Sequence, residues 1–338
     1  MSSSNTSSNI GNAFFYLGVR HLLGSLVPNA RVYESQFLPI NPYRLNRQQA
    51  ANAFDYFAEV EGADAVVIAG PVLDRGFGRQ FEPALARAAE ADVPVLLLTA
   101  GGRGYDDEEV AHCRAVLERY RPAVFTSRDR DTFDAYADLA HRSYDGVCTS
   151  FFVDEWFEGY PTPKLEPYLV STFDFGPEPR LDGVTRDALR QRKPIEVPTE
   201  ARRTRAMANN VRYLLQRDLP RTVNGMTVVR ATHRPLRSKH LQFHRPNLVS
   251  AFHHDSYLNL YRHAELTLTD RMHAAAVTLA FGRPALLTLA SNRTRLLARA
   301  GFAAVQGEVL YPDPTRIREE KAAMRTWLAT ALPEALST

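Results

Sequence analysis

The sequence predicts an α/β protein built as two Rossmann-like halves. Three observations carry this. Helical patterns and short strand-like runs alternate along the 338 residues. The strand-like runs are short and mainly apolar, as parallel strands covered on both faces are. A proline-rich stretch near the middle separates one such series from a second. With 45% hydrophobic residues, a chain of this length is long for one core and comfortable for two.

In the first half, helices are expected near 12–26, 47–60, 79–90, 107–119 and 130–142, and strands near 31–34, 64–70, 93–100, 123–127 and 146–153. Ligands of parallel sheets bind beyond the carboxyl ends of the strands. The loops Gly70–Asp74, Thr99–Gly104 and Ser127–Asp129 fall there. Tyr105–Glu109 reads as an acidic helix cap. Glu158–Pro167 is the linker, because Pro161, Pro163 and Pro167 favour extended backbone. The expected domains are therefore 1–160 and 161–338. The second series runs through a strand Tyr168–Phe173, a helix Glu200–Leu215 and a strand Met226–Ala231. A further strand, helix and strand follow over 264–289, then a C-terminal helix near 313–332.

The run from Ala264 to Leu289 says most about chemistry. Leu266 and Leu268 are the apolar positions of a short strand, Asp270 is placed to cap a helix, and Ala274–Phe281 are good helix formers. Gly282 and Pro284 stop that helix. Arg271 and His273 thus fall in the first turn of a helix at a strand end, with Met272 between them. Backbone N–H groups and the positive end of the helix dipole favour an anion there. A surface charge and a quietly packed histidine are the plainer reading of the same spacing.

Composition excludes several classes. The formal charge of +3 is too small for bulk nucleic-acid binding. The two cysteines, Cys113 and Cys148, form neither a metal spacing nor a disulfide framework. Met1–Ser8 lacks the regions of a secretion signal, and no apolar stretch approaches the ~18 residues that cross a bilayer. A cytoplasmic protein without a transmembrane segment is the expectation.

The run Thr269–Leu286 resembles the signature of the polysaccharide pyruvyl transferase family: Arg, an apolar residue, His and Ala opening a helix, then a Gly-x-Pro turn and an apolar strand. Other pieces fit in order. Asn9-Ile-Gly-Asn12 resembles the family's Asn-x-Gly-Asp loop, although Asn12 replaces the usual Asp and polar residues precede it where the family has an apolar strand. Ala65–Pro71 resembles its strand ending in a Gly-rich turn, Val124–Asp129 its Ser-x-Arg-Asp strand end, and Ser291–Arg295 its Ser-Asn-Lys region. The resemblance implies a GT-B-like arrangement, two Rossmann-like domains facing a cleft. Residues 1–160 would take the acceptor, and 161–338 the donor. It implies transfer of an enolpyruvyl unit from phosphoenolpyruvate to a sugar, forming a pyruvate ketal in polysaccharide biosynthesis. The partners would be phosphoenolpyruvate and a free, lipid-linked or nucleotide-linked saccharide, with membrane contact only peripheral and through the acceptor. No cofactor and no metal is implied.

Such a donor carries a carboxylate and a phosphate, so it needs cationic, bidentate partners and an acid for carbon 3. Arg271 and the Met272 and His273 amides are assigned to its anionic groups, and His273 is the preferred acid or else the stabiliser of the leaving phosphate. Arg230–Arg245 holds four Arg, one Lys and three His in sixteen residues. It reads either as a basic ligand loop, with His233 and Arg234 as its contributors, or as a solvated one. Asn9, Gly11 and Asn12 form either a ligand loop or an ordinary helix start. Asn292 and Arg295 reach ligand or solvent from the turn after the last strand. Arg128 and Asp129 face the cleft or form a salt bridge or cap. Trp156 and Phe157 stack on a sugar or pack a domain. His240, His244, His253 and His254 lack a fixed zinc spacing. Two other functions compete: a glycosyltransferase of the same architecture with a nucleotide-sugar donor, for which Glu200 or Asp255 would hold the ribose, and a nucleic-acid binder using 230–245.

Overall fold

The computed structural model describes residues 9–34, 62–161, 166–175, 178–179, 181–195, 220–234, 247–288, 291–302 and 307–337. The expected helices 47–60 and Glu200–Leu215 lie outside these residues. The chain forms two compact units. One comprises Met1–Asn5, Val19–Thr149 and Arg318–Thr338, and the other Thr6–Gly18 and Ser150–Ile317.

A helix α1, Gly11–Leu26, opens the described chain. In the first unit follow β1 (Val66–Ala69), α2 (Phe77–Glu90), β2 (Val95–Ala100), α3 (Asp107–Arg119), β3 (Val124–Ser127), α4 (Arg130–Tyr136) and β4 (Arg142–Asp145). The strands form one parallel sheet in the order β1-β2-β3-β4. All six residues of β2 are buried, and all but Thr99 are apolar. Its register against β3 shifts between Leu97 and Ala100, where Thr99 takes a φ of 51°. The Asp106 side chain caps α3 by accepting the Glu109 amide at 3.0 Å, as the acidic helix start predicted.

Three sequence expectations shift here. Residues 31–34 are irregular rather than a strand. The helix expected over 130–142 stops at Tyr136, and a 3-10 turn Ala137–Leu139 leads into β4. The strand expected over 146–153 is not one. Val147, Cys148, Phe151, Phe152 and Val153 are fully buried, but as a loop, a 3-10 helix Thr149–Phe152 and the start of α5 (Val153–Trp156). An apolar run reports burial, and burial does not choose between strand and helix. The real strand is the polar edge segment just before it.

The second unit contains α5, β5 (Tyr168–Thr172), α6 (Arg186–Arg190), β6 (Thr222–Val223), β7 (Met226–Ala231), β8 (Leu248–Val249) and α7 (His254–His263). It continues with β9 (Leu266–Thr269), α8 (Met272–Ala280), β10 (Ala285–Leu287) and β11 (Val309–Leu310). Its strand order is β11-β10-β9-β5-β7-β6, with β8 also on β7. The inner strands β10, β9, β5 and β7 are parallel, while β6 and β11 run antiparallel at the ends. Asn224 and Gly225, both at positive φ, make the tight β6–β7 turn. Both units are thus α/β with parallel-sheet cores, the Rossmann-like pattern the sequence predicts.

Two segments depart from a simple division at residue 160. Thr6–Gly18 belongs to the second unit because Ile10, Phe14 and Leu17 enter its core with Val170, Tyr257 and Tyr261. The final helix α9, Pro314–Leu336, ends in the first unit. There Trp327 stacks on Tyr144 with ring centroids 5.2 Å apart, and Glu334 pairs with Arg142 at 2.6 Å. No described helix is long and apolar enough to cross a membrane.

Candidate functional site

The carboxyl ends of β5, β7 and β9 lie side by side in the second unit, β5 in the middle. After β9, Thr269 makes the tight turn. Its Oγ1 donates to the Thr172 carbonyl at 3.0 Å and accepts the Arg271 amide at 2.8 Å. The N-cap of α8 is Arg271, in extended backbone and without a side-chain cap. Asp270 is therefore not the cap its position suggested. Its carboxylate reaches sideways and accepts the amides of Asp174 (3.0 Å) and Phe175 (2.6 Å) after β5. Arg271 supplies no side-chain cap to α8, and a helix start is where an anion is favoured.

Arg271 is 8% exposed. One guanidinium nitrogen donates to Asn9 Oδ1. Its Nε lies 3.3 Å from Asp174 Oδ2, and its Cζ stands 4.9 Å from the centre of the Phe175 ring. Asp174 also accepts Thr232 Oγ1 at 2.9 Å. Arg234, after β7, places its Cζ 4.5 Å from the same Phe175 ring, and its amide donates to Thr232 Oγ1 at 3.2 Å.

The N-terminal loop joins this cluster. Asn9 Nδ2 donates to Asn12 Oδ1 at 3.1 Å, and the Ile10 amide donates to the His233 carbonyl at 2.9 Å. A Cβ on Gly11 would sit 2.9 Å from His233 Nδ1, so the loop packs flat on that ring. His273, second residue of α8 and half-buried, lies 5.1 Å ring-to-ring from Phe15. Met272 is buried. Thus Asn9, Gly11, Asn12, His233, Arg234, Arg271 and His273, scattered over more than 260 positions, share one neighbourhood.

His233 does not take the ligand-facing place the sequence suggested. It has no exposed surface and lies edge-on to Phe14 and Tyr257, with Nε2 2.6 Å from the Tyr261 hydroxyl. Burial, then the charges of Arg271 and His273, hold its pKa well below the ordinary value, so the ring is neutral. It is a strut under the loop. Arg230 also departs from the basic-loop reading: it is buried and forms a two-pronged pair with Glu178 at 2.6 and 2.8 Å. Residues 235–246 of that loop, including His240 and His244, and Glu200 lie outside the described residues. Asn292, exposed, and Arg295, half-buried, sit in a 3-10 helix, Asn292–Leu297. The strand before it, β10, is not the last, since β11 follows.

His253, His254 and Asp255 bring three metal-ligand atoms within 4.8 Å of one another. Helix capping accounts for the closeness, because His253 Nδ1 accepts the Asp255 amide at the start of α7. Phe157 packs, 4.0 Å from the ring of Tyr160. In the first unit, Asp129 caps α4 by accepting the Thr132 amide at 2.9 Å. Arg128 beside it is 2% exposed, its guanidinium lying against Gly101, and the nearest acidic oxygen is that of Asp129 at 3.8 Å.

The sequence reading passed over Asp174, Phe175, Thr232, Tyr257 and Tyr261. One signal for the first two was present. They follow the strand Tyr168–Phe173 as Asp270 and Arg271 follow theirs, and carboxyl-end residues of neighbouring parallel strands converge.

The comparisons with known proteins bear on what this cluster belongs to. A S. aureus MnaA structure with UDP aligns at a TM-score of 0.48 and 12% identity, covering 96% of this chain and 85% of that one. A UDP-GlcNAc 2-epimerase from Neisseria meningitidis bound to UDP-GlcNAc aligns at 0.45 and 12%, covering 99% and 92%. The E. coli heptosyltransferase WaaC with ADP aligns at 0.35 and 12%, covering 85% of each. No curated protein matches the chain at the sequence level. The family model for polysaccharide pyruvyl transferase matches residues 9–292, from the Asn9 loop through the Arg271–His273 helix start and on to Asn292. On that match, which spans most of its length, the chain belongs to the polysaccharide pyruvyl transferase family.

Proposed function

We propose that this protein transfers an enolpyruvyl unit from phosphoenolpyruvate to two hydroxyls of a saccharide, forming a pyruvate ketal and releasing phosphate. The carrying observation is the start of α8, where buried Arg271, fixed by Asn9 and Asp174, stands two residues from His273. The family match supports the same reading. The acceptor is a polysaccharide or a free, lipid-linked or nucleotide-linked glycan precursor. The unit holding Val19–Thr149 is proposed to take it, and the unit of Thr6–Gly18 and Ser150–Ile317 the donor.

The roles follow from charge and position. Arg271 and the Met272 and His273 amides hold the donor's anionic groups, with Arg234 as a second cation. His273 donates a proton to carbon 3, which becomes the methyl group. Positive charge develops at carbon 2, and a sugar oxygen bonds there. A second sugar oxygen then replaces the phosphate oxygen on carbon 2. Protonated His273 becomes neutral on giving its proton; of the two hydroxyl protons released, one returns to it and the other leaves on the phosphate, so the imidazolium is regenerated. Asn9, Gly11 and Asn12 position Arg271. Asn292 and Arg295 are proposed substrate contacts.

The test is phosphate release from phosphoenolpyruvate with a panel of β-galactoside and N-acetylhexosamine acceptors, run beside nucleotide release from nucleotide sugars. Phosphate release that depends on acceptor is expected. His273→Gln should lose about 10²-fold or more in turnover. Near-normal turnover in that variant removes His273 as the acid. Nucleotide release from a sugar donor, with none of phosphate, replaces the reading by a glycosyltransferase.

A further inference from the structure

The strand order places β5 between β9 and β7. The residues just beyond these strands keep that order: Arg271 on one side, Phe175 in the middle, Arg234 on the other. The Phe175 ring centre is 4.9 Å from one guanidinium carbon and 4.5 Å from the other, inside the range where a cation is drawn to an aromatic face. Two strand spacings, about 10 Å, separate the strands that carry the arginines.

Two like charges so close, one of them on a buried side chain, repel each other. Asp174 compensates Arg271 through a contact of 3.3 Å. Each guanidinium also gains from the same π-system. The ring itself is held. Asp270 accepts the Phe175 amide at 2.6 Å and the Asp174 amide at 3.0 Å. A side chain merely filling space has no need of two guanidinium groups on its faces or edges. Leucine would fill the volume and lose the attraction.

We infer that Phe175 is a specificity-determining residue of the donor site, spacing Arg234 and Arg271 so that the site selects a small anion bearing two separate charged groups over an anion bearing one. This rests on the proposed donor reading. Phosphoenolpyruvate has a carboxylate and a phosphate on adjacent functional arms. Inorganic phosphate and pyruvate each present only one of the two. The ring would act on the donor alone and leave the acceptor and the proton transfers untouched.

The experiment is calorimetric titration of the full-length protein with phosphoenolpyruvate, inorganic phosphate and pyruvate separately. It uses wild type, Phe175→Leu and Phe175→Trp, with thermal melting of each. In wild type, phosphoenolpyruvate should bind at least tenfold more tightly than either single-group anion. Phe175→Leu should weaken phosphoenolpyruvate roughly tenfold, equivalent to ~1.4 kcal/mol, and leave phosphate and pyruvate within about twofold. Phe175→Trp, which keeps a π-face, should restore most of the loss. In turnover, Phe175→Leu should raise KM for phosphoenolpyruvate by the same factor with kcat and the acceptor KM near wild type. Equal phosphoenolpyruvate affinity in Phe175→Leu overturns the inference and leaves the proposed function standing. So does uniform loss of all three anions, or failure of Phe175→Trp to restore binding. Phosphoenolpyruvate binding in the expected pattern without any turnover overturns the proposed reaction and leaves the inference standing. Wild type that binds none of the three overturns both.

Discussion

Helix propensity and packing make opposite predictions for Gly11→Ala, so the sign of the effect decides between them. Gly11 opens α1 at an ordinary helical position, with no positive φ to defend. On propensity alone, alanine should stabilise by ~0.5–1 kcal/mol. Packing says otherwise. The new Cβ would meet His233 Nδ1 at 2.9 Å and Cε1 at 3.5 Å. That ring has no exposed surface, is edge-packed by Phe14 and Tyr257, and is tied to Tyr261. It cannot swing aside as a flexible side chain would. Forcing an extra carbon into such a contact costs ~1–3 kcal/mol. The net expectation is destabilisation of ~1 kcal/mol. Gly24, near the other end of the same helix, is the internal control, because nothing lies within 4 Å of its Cβ position. Gly24→Ala should stabilise by ~0.5–1 kcal/mol. Thermal unfolding of the two variants beside wild type reads the difference, a few degrees in opposite directions. A shifted His233 would also disturb the Ile10 amide bonded to its carbonyl and the neighbouring Asn9–Arg271 contact, so KM for the donor should rise. Gly11→Ala that is as stable as Gly24→Ala refutes the packing argument.

Gly101→Ala should be worse, costing ~3 kcal/mol or more: its Cβ would fall 2.3 Å from Nε of Arg128, which is 2% exposed, and a soluble variant with unchanged melting contradicts this. Glu109, buried, accepts the amides of Arg103, Gly104 and Tyr105 at 3.0, 2.7 and 3.0 Å; Glu109→Ala should strip those three bonds, seen as faster amide exchange across 103–105 with β2 still protected. His233 gives a pH signature. Its folded pKa is depressed, so below about pH 6.5 the unfolded chain binds the extra proton and stability falls, by up to ~1.36 kcal/mol per pH unit. His233→Gln should flatten that slope in denaturant melts from pH 7 to 5, and an unchanged slope assigns it to other groups.

Much of the fold could be read because these segments each satisfy one rule strongly. β2 opens Val-Leu-Leu-Leu and is buried on both faces, and no surface competes for it. α3 opens on Asp106 with three acidic residues in its first turn. Gly282, at φ 72°, ends α8 as the Gly-Arg-Pro turn suggested. Where the reading slipped, two rules conflicted. β4, Arg-Ser-Tyr-Asp, pairs only with β3 and has three half-buried residues of four. A sheet edge tolerates polarity that a central strand cannot. The apolar segment after it was the stronger sequence signal, yet its burial is served by a 3-10 turn and α5. The Asn224-Gly225 turn is the reverse case, a strong hairpin signal standing directly before a strand that was read alone.

The site divides along a different line. The helix start that carries Arg271 and His273 could be read because a helix after a strand is a local event, legible in a few consecutive letters. What surrounds Arg271 is not local. Asn9 comes from the other end of the chain, Asp174 and Phe175 from the strand on one side, and Thr232 and Arg234 from the strand beyond. Parallel order β9-β5-β7 brings them together, and that order follows from crossovers no short window contains. The same logic explains Asp270 and His233. Each stands where an N-cap or a ligand-facing histidine is expected, and each is claimed by a neighbour instead, Asp270 by the turn after β5 and His233 by the flat glycine of the N-terminal loop. A residue at a strand end has two possible employers, the helix that follows and the strand alongside. Local sequence names only the first. Asp270 shows the second winning, because two backbone amides on a neighbouring turn offer a carboxylate more than one amide of its own helix does. That choice leaves Arg271, which supplies no side-chain cap, as the N-cap of α8.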